Sequence, residues 1–311
     1  MAFLNLLHGA VAEGLIWGLM AIGVYISYKI LDIADLTVDG SICTGACVCV
    51  VLLSSGVPAW LCIIVALLAG ALTGVVTGLL HTALGIPSIL AGILTQLILY
   101  SVNLSILGGK SLVAIDTQNA EPLLSMGNNP LAIFVAGAII VCVIVVLWLF
   151  FYTEIGLTIK STGDNPHMSR AQGINVNFNK VLGLAIANAI VALAGALLAQ
   201  YKGSANINDG RGAIVIGLAA IFIGLSVSLK IKPNFVVSLI GVIGGGVVYY
   251  IIYNFVILLG LKTNYLKMLS AIIVALFLAI PYLKTTYFTK QKSVIVAETA
   301  SPDNNGGGLD A

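Results

Sequence analysis

Three carboxylates, a threonine and a serine fall within Ile30-Leu31-Asp32-Ile33-Ala34-Asp35-Leu36-Thr37-Val38-Asp39-Gly40-Ser41, between two apolar runs. Such groups can cap a helix, line a polar route or couple an ion. The plainest expectation is a solvated turn entering a helix capped by Asp39 or Ser41. The stretch keeps its hydrophobic residues, however, and so could be partly re-entrant. Polar backbone at membrane depth is tolerated only against protein or a water-filled cavity. Asp35, Thr37, Asp39 and Ser41 are therefore candidates for a polar pathway. Asn188, an amide inside a distant apolar run, is a fifth. Glu13, Gln96 and Asn103 are also polar groups in apolar segments. An ionisable residue there is a functional candidate by default, whereas neutral amides more often bond between helices.

Other chemistry is excluded by spacing. Gly108-Gly109-Lys110-Ser111 resembles the end of a phosphate-binding loop, but position 104, where the pattern needs a first glycine, holds Leu104. ATP chemistry must then come from another polypeptide. Cys43, Cys47 and Cys49 have no histidine or acid among them and read as small buried hydrophobes, and Cys62 and Cys142 stand alone. His8, His81 and His167 are too scattered for a nucleophile–base pair or a metal set.

The longest polar interruption runs from Thr153 to Lys180 and contains Thr153-Glu154-Ile155-Gly156-Leu157 and Thr162-Gly163-Asp164-Asn165-Pro166-His167-Met168-Ser169-Arg170-Ala171-Gln172-Gly173-Ile174-Asn175. Asp164 or Asn165 can cap a short helix, Pro166 suits its first position and Gly173 its end. This predicts about two turns of helix outside the bilayer over 164–172, carrying Met168 and Ala171. Simple connectors in bundles have about 2–8 residues, so a plain connector explains the length poorly.

The elements that position these residues follow from composition. Of 311 residues 59% are hydrophobic and 8% charged, with mean hydropathy +1.09. Soluble domains carry roughly 25% charged residues, and a spanning helix needs about 20 apolar residues in a row. The expected fold is all-α, a polytopic transmembrane bundle of about nine spanning or partly spanning helices, near 9–28, 41–54, 59–82, 87–107, 131–152, 180–200, 213–229, 235–259 and 267–283. The second and seventh are short enough to be broken or tilted. Gly70, Gly74 and Gly78 align small residues on one helix face as a packing seam. Pro87 either breaks or begins its helix, and Gly244-Gly245-Gly246 marks a bend or a close contact. No Lys or Arg precedes Lys29, so the charged start of a cleavable leader is missing and 9–28 is read as a retained helix.

Residues 1–287 read as one transmembrane domain containing the 153–180 loop, and 288–311 as a disordered tail. With the N-terminus outside, nine Lys and Arg fall on the cytoplasmic side and five outside, favouring N-out and C-in. A net charge of +2 gives no argument for a nucleic-acid partner.

At the 153–180 loop the sequence resembles the permease subunits of ABC importers, specifically the branched-chain amino acid and ribose-type superfamily. Glu154-Ile155-Gly156, Gly163-Asp164-Asn165 and Arg170-Ala171-Gln172-Gly173-Ile174-Asn175-Val176 look like that family's cytoplasmic coupling segment, and Asp35-Leu36-Thr37-Val38-Asp39-Gly40 is similar to its sugar permeases' Asp-Leu-Ser-Val-Gly signature. The resemblance covers roughly 9–283. It implies ATPase coupling through Glu154, Gly156, Gly163, Asp164, Asn165, Met168, Arg170, Ala171 and Gly173. It also implies two ATPase subunits holding ATP and Mg, an extracytoplasmic substrate-binding protein, a second permease copy and a bacterial cell membrane, with no cofactor or metal on this chain. Asp39 intervenes before Gly40, and Gly217-Leu218-Ala219-Ala220-Ile221-Phe222-Ile223-Gly224-Leu225-Ser226 lacks the sugar branch's Gly-Gly-Thr-Ser pattern. These departures argue against a sugar, and the chain is most similar to a branch of the family associated with amino acid uptake, including aromatic amino acids. The alternative reading is a secondary transporter or channel working without ATP, in which Glu13 or the Asp32–Asp39 group would couple ions.

Overall fold

The computed structural model describes residues 2–115, 122–126, 129–228 and 234–258, together with 268, 271, 272, 274, 275 and 279. The expected tail, 288–311, and most of the ninth segment lie outside these residues.

The chain is a multi-pass helical bundle. Helix α1 (Ala2–Tyr25) continues through a π turn (Ile26–Ile30), and α2 (Val38–Ser54), α3 (Ala59–Thr82), α4 (Ser88–Ile106) and α5 (Asn129–Phe151) follow. Two shorter helices, α6 (Glu154–Asp164) and α7 (Pro166–Ala171), precede α8 (Val176–Lys202), α9 (Ala213–Ser228) and α10 (Phe235–Leu258). Strands β1 (Leu112–Ala114) and β2 (Ser204–Asn206) pair antiparallel, tying the end of α8 to the segment after α4. Among the described residues six helices are long and apolar enough to cross a membrane, while α2 and α9 are shorter.

Prolines begin several helices: Pro58 and Pro87 sit at the N-caps of α3 and α4, and Pro166 opens α7. Pro87 thus starts its helix and does not break one. The centre of the bundle is α8, almost wholly buried against α1, α2 and α3. Without a hydrophobic drive between helices in lipid, close backbone approach through small residues takes over. Gly70 of α3 lies against Asn188 and Ala192 of α8, Gly74 against Leu184 and Gly78 against Val181, an antiparallel zipper. The small-residue seam is therefore an intramolecular contact. Gly45 of α2 meets Ala192, and Gly23 of α1 meets Ala187.

Helix α10 passes through Gly244-Gly245-Gly246 without a break. Gly245 packs against Ala220 and Gly224 of α9, and Gly246 against Gly18 of α1. The triplet is a two-sided close contact, one of the two alternatives its sequence offered. By contrast α4 and α5 bury little of themselves and present Leu97, Ile98, Phe134, Val141, Val146 and Leu149 outward, as helices bathed in lipid do.

Candidate functional site

The loop expected between Thr153 and Lys180 is more ordered than its composition suggests. Two helices replace the single one expected at 164–172. Thr153 Oγ1 caps α6 by accepting from Gly156 N (3.3 Å), Asn165 Oδ1 caps α7 by accepting from Met168 N (3.0 Å), and Asn175 Oδ1 caps α8 by accepting from Phe178 N (3.1 Å). Of the two candidate caps for the short helix Asn165 serves, and Asp164 is the last residue of α6. The reason is the extended backbone of Asn165, which breaks one helix and starts the next. Gly173 has φ +80, the left-handed turn that closes α7.

Glycine lets α6 fold back onto the bundle. A Cβ at Gly156 would strike the Phe150 carbonyl, and one at Gly163 the Ile30 carbonyl at the end of the π turn. Ser161 and Ser169 hydroxyls, 2.8 Å apart, join α6 to α7, and Asn179 Nδ2 donates to Thr162 Oγ1 (3.0 Å), joining α6 to α8. The outer face is left to Glu154, Asp164, Asn165, His167, Met168, Arg170 and Ala171, all exposed. Met168 is an apolar side chain 60% exposed beside a cation. At the base of α6 lies a cavity of about 430 Å³, lined in part by Tyr25, Lys29, Tyr152, Lys160 and Asp164.

The candidate pathway residues divide into two groups. Asp35, Thr37, Ser41 and Asn188 converge, although Asn188 is 153 positions from Asp35. Asn188 Nδ2 donates to Asp35 Oδ2 (2.7 Å), Ser41 Oγ donates to Asn188 Oδ1 (2.6 Å), and Thr37 N donates to Asp35 Oδ1 (2.9 Å). The network extends to α3 and α4: Ser41 and Thr73 hydroxyls lie 2.7 Å apart, as do those of Thr37 and Thr77, and Thr77 Oγ1 donates to Thr95 Oγ1 (3.0 Å). All seven side chains are buried. This is a sealed knot in which each polar group meets a partner, as burial requires, and its members line neither cavity described here.

Asp39 behaves differently. It does not cap α2, which it enters as the second residue. Its carboxylate reaches across to α9, accepting from Gly212 N (Oδ2, 2.9 Å) and Ile214 N (Oδ1, 3.0 Å). A carboxylate at a helix N-terminus satisfies orphan donors and the positive end of the dipole. Cys43, one turn on, accepts from Gly210 N and donates to the Ile207 carbonyl (both 3.2 Å). The segment 207–212 is thereby stitched to the side of α2.

Between that stitch and α4 opens a second cavity, about 390 Å³, lined by Asp39, Gly40, Cys43, Ile93, Gln96, Leu97, Tyr100, Asn103, Ile207 and Arg211. The Arg211 guanidinium stands over the Tyr100 ring, 5.9 Å from its centroid. Asn103 Oδ1 is buried without a hydrogen-bond partner. Gln96 and Asn103 stand out in the sequence as amides in apolar segments, whereas nothing there singles out Arg211. Nothing in the spacing joined α4 to a loop more than 100 residues away. No group of His, Cys, Asp and Glu suited to a metal ion occurs among the described residues.

Residues 6–281 match the family described as branched-chain amino acid transport system, permease component. The chain is 37% identical to the tyrosine transport system permease protein of Clostridioides difficile (strain R20291) over 86% of its length and 88% of that protein. It is 25% identical to the ribose import permease protein RbsC of Escherichia coli (strain K12), over 88% of its length and 84% of the relative. It is 26% identical to the galactose/methyl galactoside import permease protein MglC of the same organism, over 73% and 68% respectively. No solved structure matches the chain.

Proposed function

The chain belongs to the branched-chain amino acid transport system permease family, and is thus an ABC importer permease; we propose that it carries an amino acid, driven by separate ATPases docked on α6 and α7. The observation that carries this reading is mechanical. Helix α6 rests through Gly163 on the π turn, and through Thr162 on Asn179 at the start of α8. From the π turn the chain runs directly into Asp35, which α8 holds through Asn188, and then to Asp39, which holds the start of α9. A push on α6 therefore meets a continuous path of packed backbone and satisfied hydrogen bonds ending beside the 390 Å³ cavity. Glu154, Asp164, Asn165, Met168, Arg170 and Ala171 form the docking face, while Gly156 and Gly163 allow its close seating and Gly173 makes the turn that closes α7.

Amino acid cargo is supported by the tyrosine transport relative at 37% identity and by the missing sugar-branch pattern at 217–226. In this reading the chain hydrolyses nothing itself, and ATP and Mg reside on the ATPases. A binding protein delivers substrate from outside and a second copy completes the permease. The chain lies in a bacterial cell membrane with its N-terminus outside and its C-terminus inside.

The test is co-purification of the ATPase with the permease, wild type against a Met168→Asp, Arg170→Glu double variant. Loss of the ATPase from a variant that still inserts in the membrane is the expected result. ATPase retained at the wild-type level overturns the docking assignment.

A further inference from the structure

We propose that the cavity between α2, α4 and the 207–212 segment is a transit site for an α-amino acid zwitterion, with Arg211 taking the carboxylate. The inference rests on the amino acid reading above and assigns it to particular atoms. Arg211 forms no ion pair with a described carboxylate. Of the two acids in this region, Asp39 already accepts from Gly212 N and Ile214 N, and Asp209 stands two positions before Arg211 in the same segment. The guanidinium is a planar fork that matches a carboxylate in two parallel hydrogen bonds. The Tyr100 ring, 5.9 Å from the guanidinium, offers an aromatic surface to a flat side chain. Asn103 also lines the cavity, with its Oδ1 buried and without a hydrogen-bond partner. Gln96, midway along α4, adds a second amide. The volume of about 390 Å³ lies in the usual range for small-molecule sites, ~300–1,000 Å³.

The test is competitive uptake by the complete transporter in proteoliposomes. The probes are L-tyrosine and L-leucine, each with its carboxylate-free counterpart, tyramine and isopentylamine. A site built to bond a charged group rejects an analogue lacking it by orders of magnitude, so wild type should favour acid over amine by at least about tenfold, ~1.4 kcal/mol. In Arg211→Gln that preference should fall to within about twofold, with the loss appearing in the apparent KM, and Arg211→Lys should restore part of it. Tyr100→Leu should weaken L-tyrosine more than L-leucine. An Arg211→Gln transporter that keeps the wild-type preference overturns the site while leaving amino acid cargo intact. A wild type that ignores both amino acids and imports ribose overturns the cargo reading itself.

Discussion

Asn188 holds three elements with one amide: its own α8, the Asp35 segment and Ser41 of α2. Neutral hydrogen bonds contribute modestly on their own, but a buried acceptor left unpaired costs about 1–3 kcal/mol, more when charged. Asn188→Leu should therefore lower thermal stability in detergent by at least that amount, read as a fall in unfolding temperature. Asp35 would lose the donor to Oδ2 and Ser41 its acceptor. An unfolding temperature equal to wild type would show that the knot is not needed for stability. These residues also show how far the sequence could be read. Carboxylates and hydroxyls between apolar runs were visible as costly groups that must have a purpose. Their pairing was not, because Asn188 meets Asp35 from 153 positions away, through the packing of α8 against α2 and α3. Asp39 was misplaced for the same reason: a carboxylate in the first turn of a helix usually serves that helix, and here tertiary folding delivers a different N-terminus to it.

At the scale of elements the glycines discriminate sharply. In α10, a Cβ on Gly245 would overlap the Ala220 carbonyl, whereas a Cβ on Gly244 meets nothing within 4 Å. Gly245→Ala should destabilise by about 1–3 kcal/mol through overpacking. Gly244→Ala should be neutral or gain up to ~1 kcal/mol from helix propensity. Parallel thermal unfolding of the two variants checks this, and equal effects would contradict the packing described. Period and length revealed eight of the helices, since apolar runs are dictated by the bilayer. The polar helix α6 escaped because its own inward face holds only Gly156, Ile159 and Thr162, too little apolar surface to announce itself. The start of α7, by contrast, was legible in Asn165-Pro166, because caps are local chemistry.

For the whole molecule, α6 and α7 lie at one end of the bundle and the β1–β2 pair at the other. These ends should face opposite sides of the membrane. In a Cys142→Ser background, which removes an exposed thiol, His167→Cys should be blocked to a membrane-impermeant maleimide in intact cells. It should label only after permeabilisation. Leu112→Cys, on exposed β1, should label in intact cells. The reverse pattern would invert the proposed orientation and remove α7 from the reach of cytoplasmic ATPases. The most direct measurement of the central claim is uptake into proteoliposomes holding the permease with its ATPases, with binding protein and labelled L-tyrosine or L-leucine added outside. Amino acid accumulation that requires ATP inside the vesicle, and vanishes with the Met168→Asp, Arg170→Glu variant, is what the account predicts. Uptake by the permease alone, driven by an ion gradient and indifferent to ATP, would contradict it.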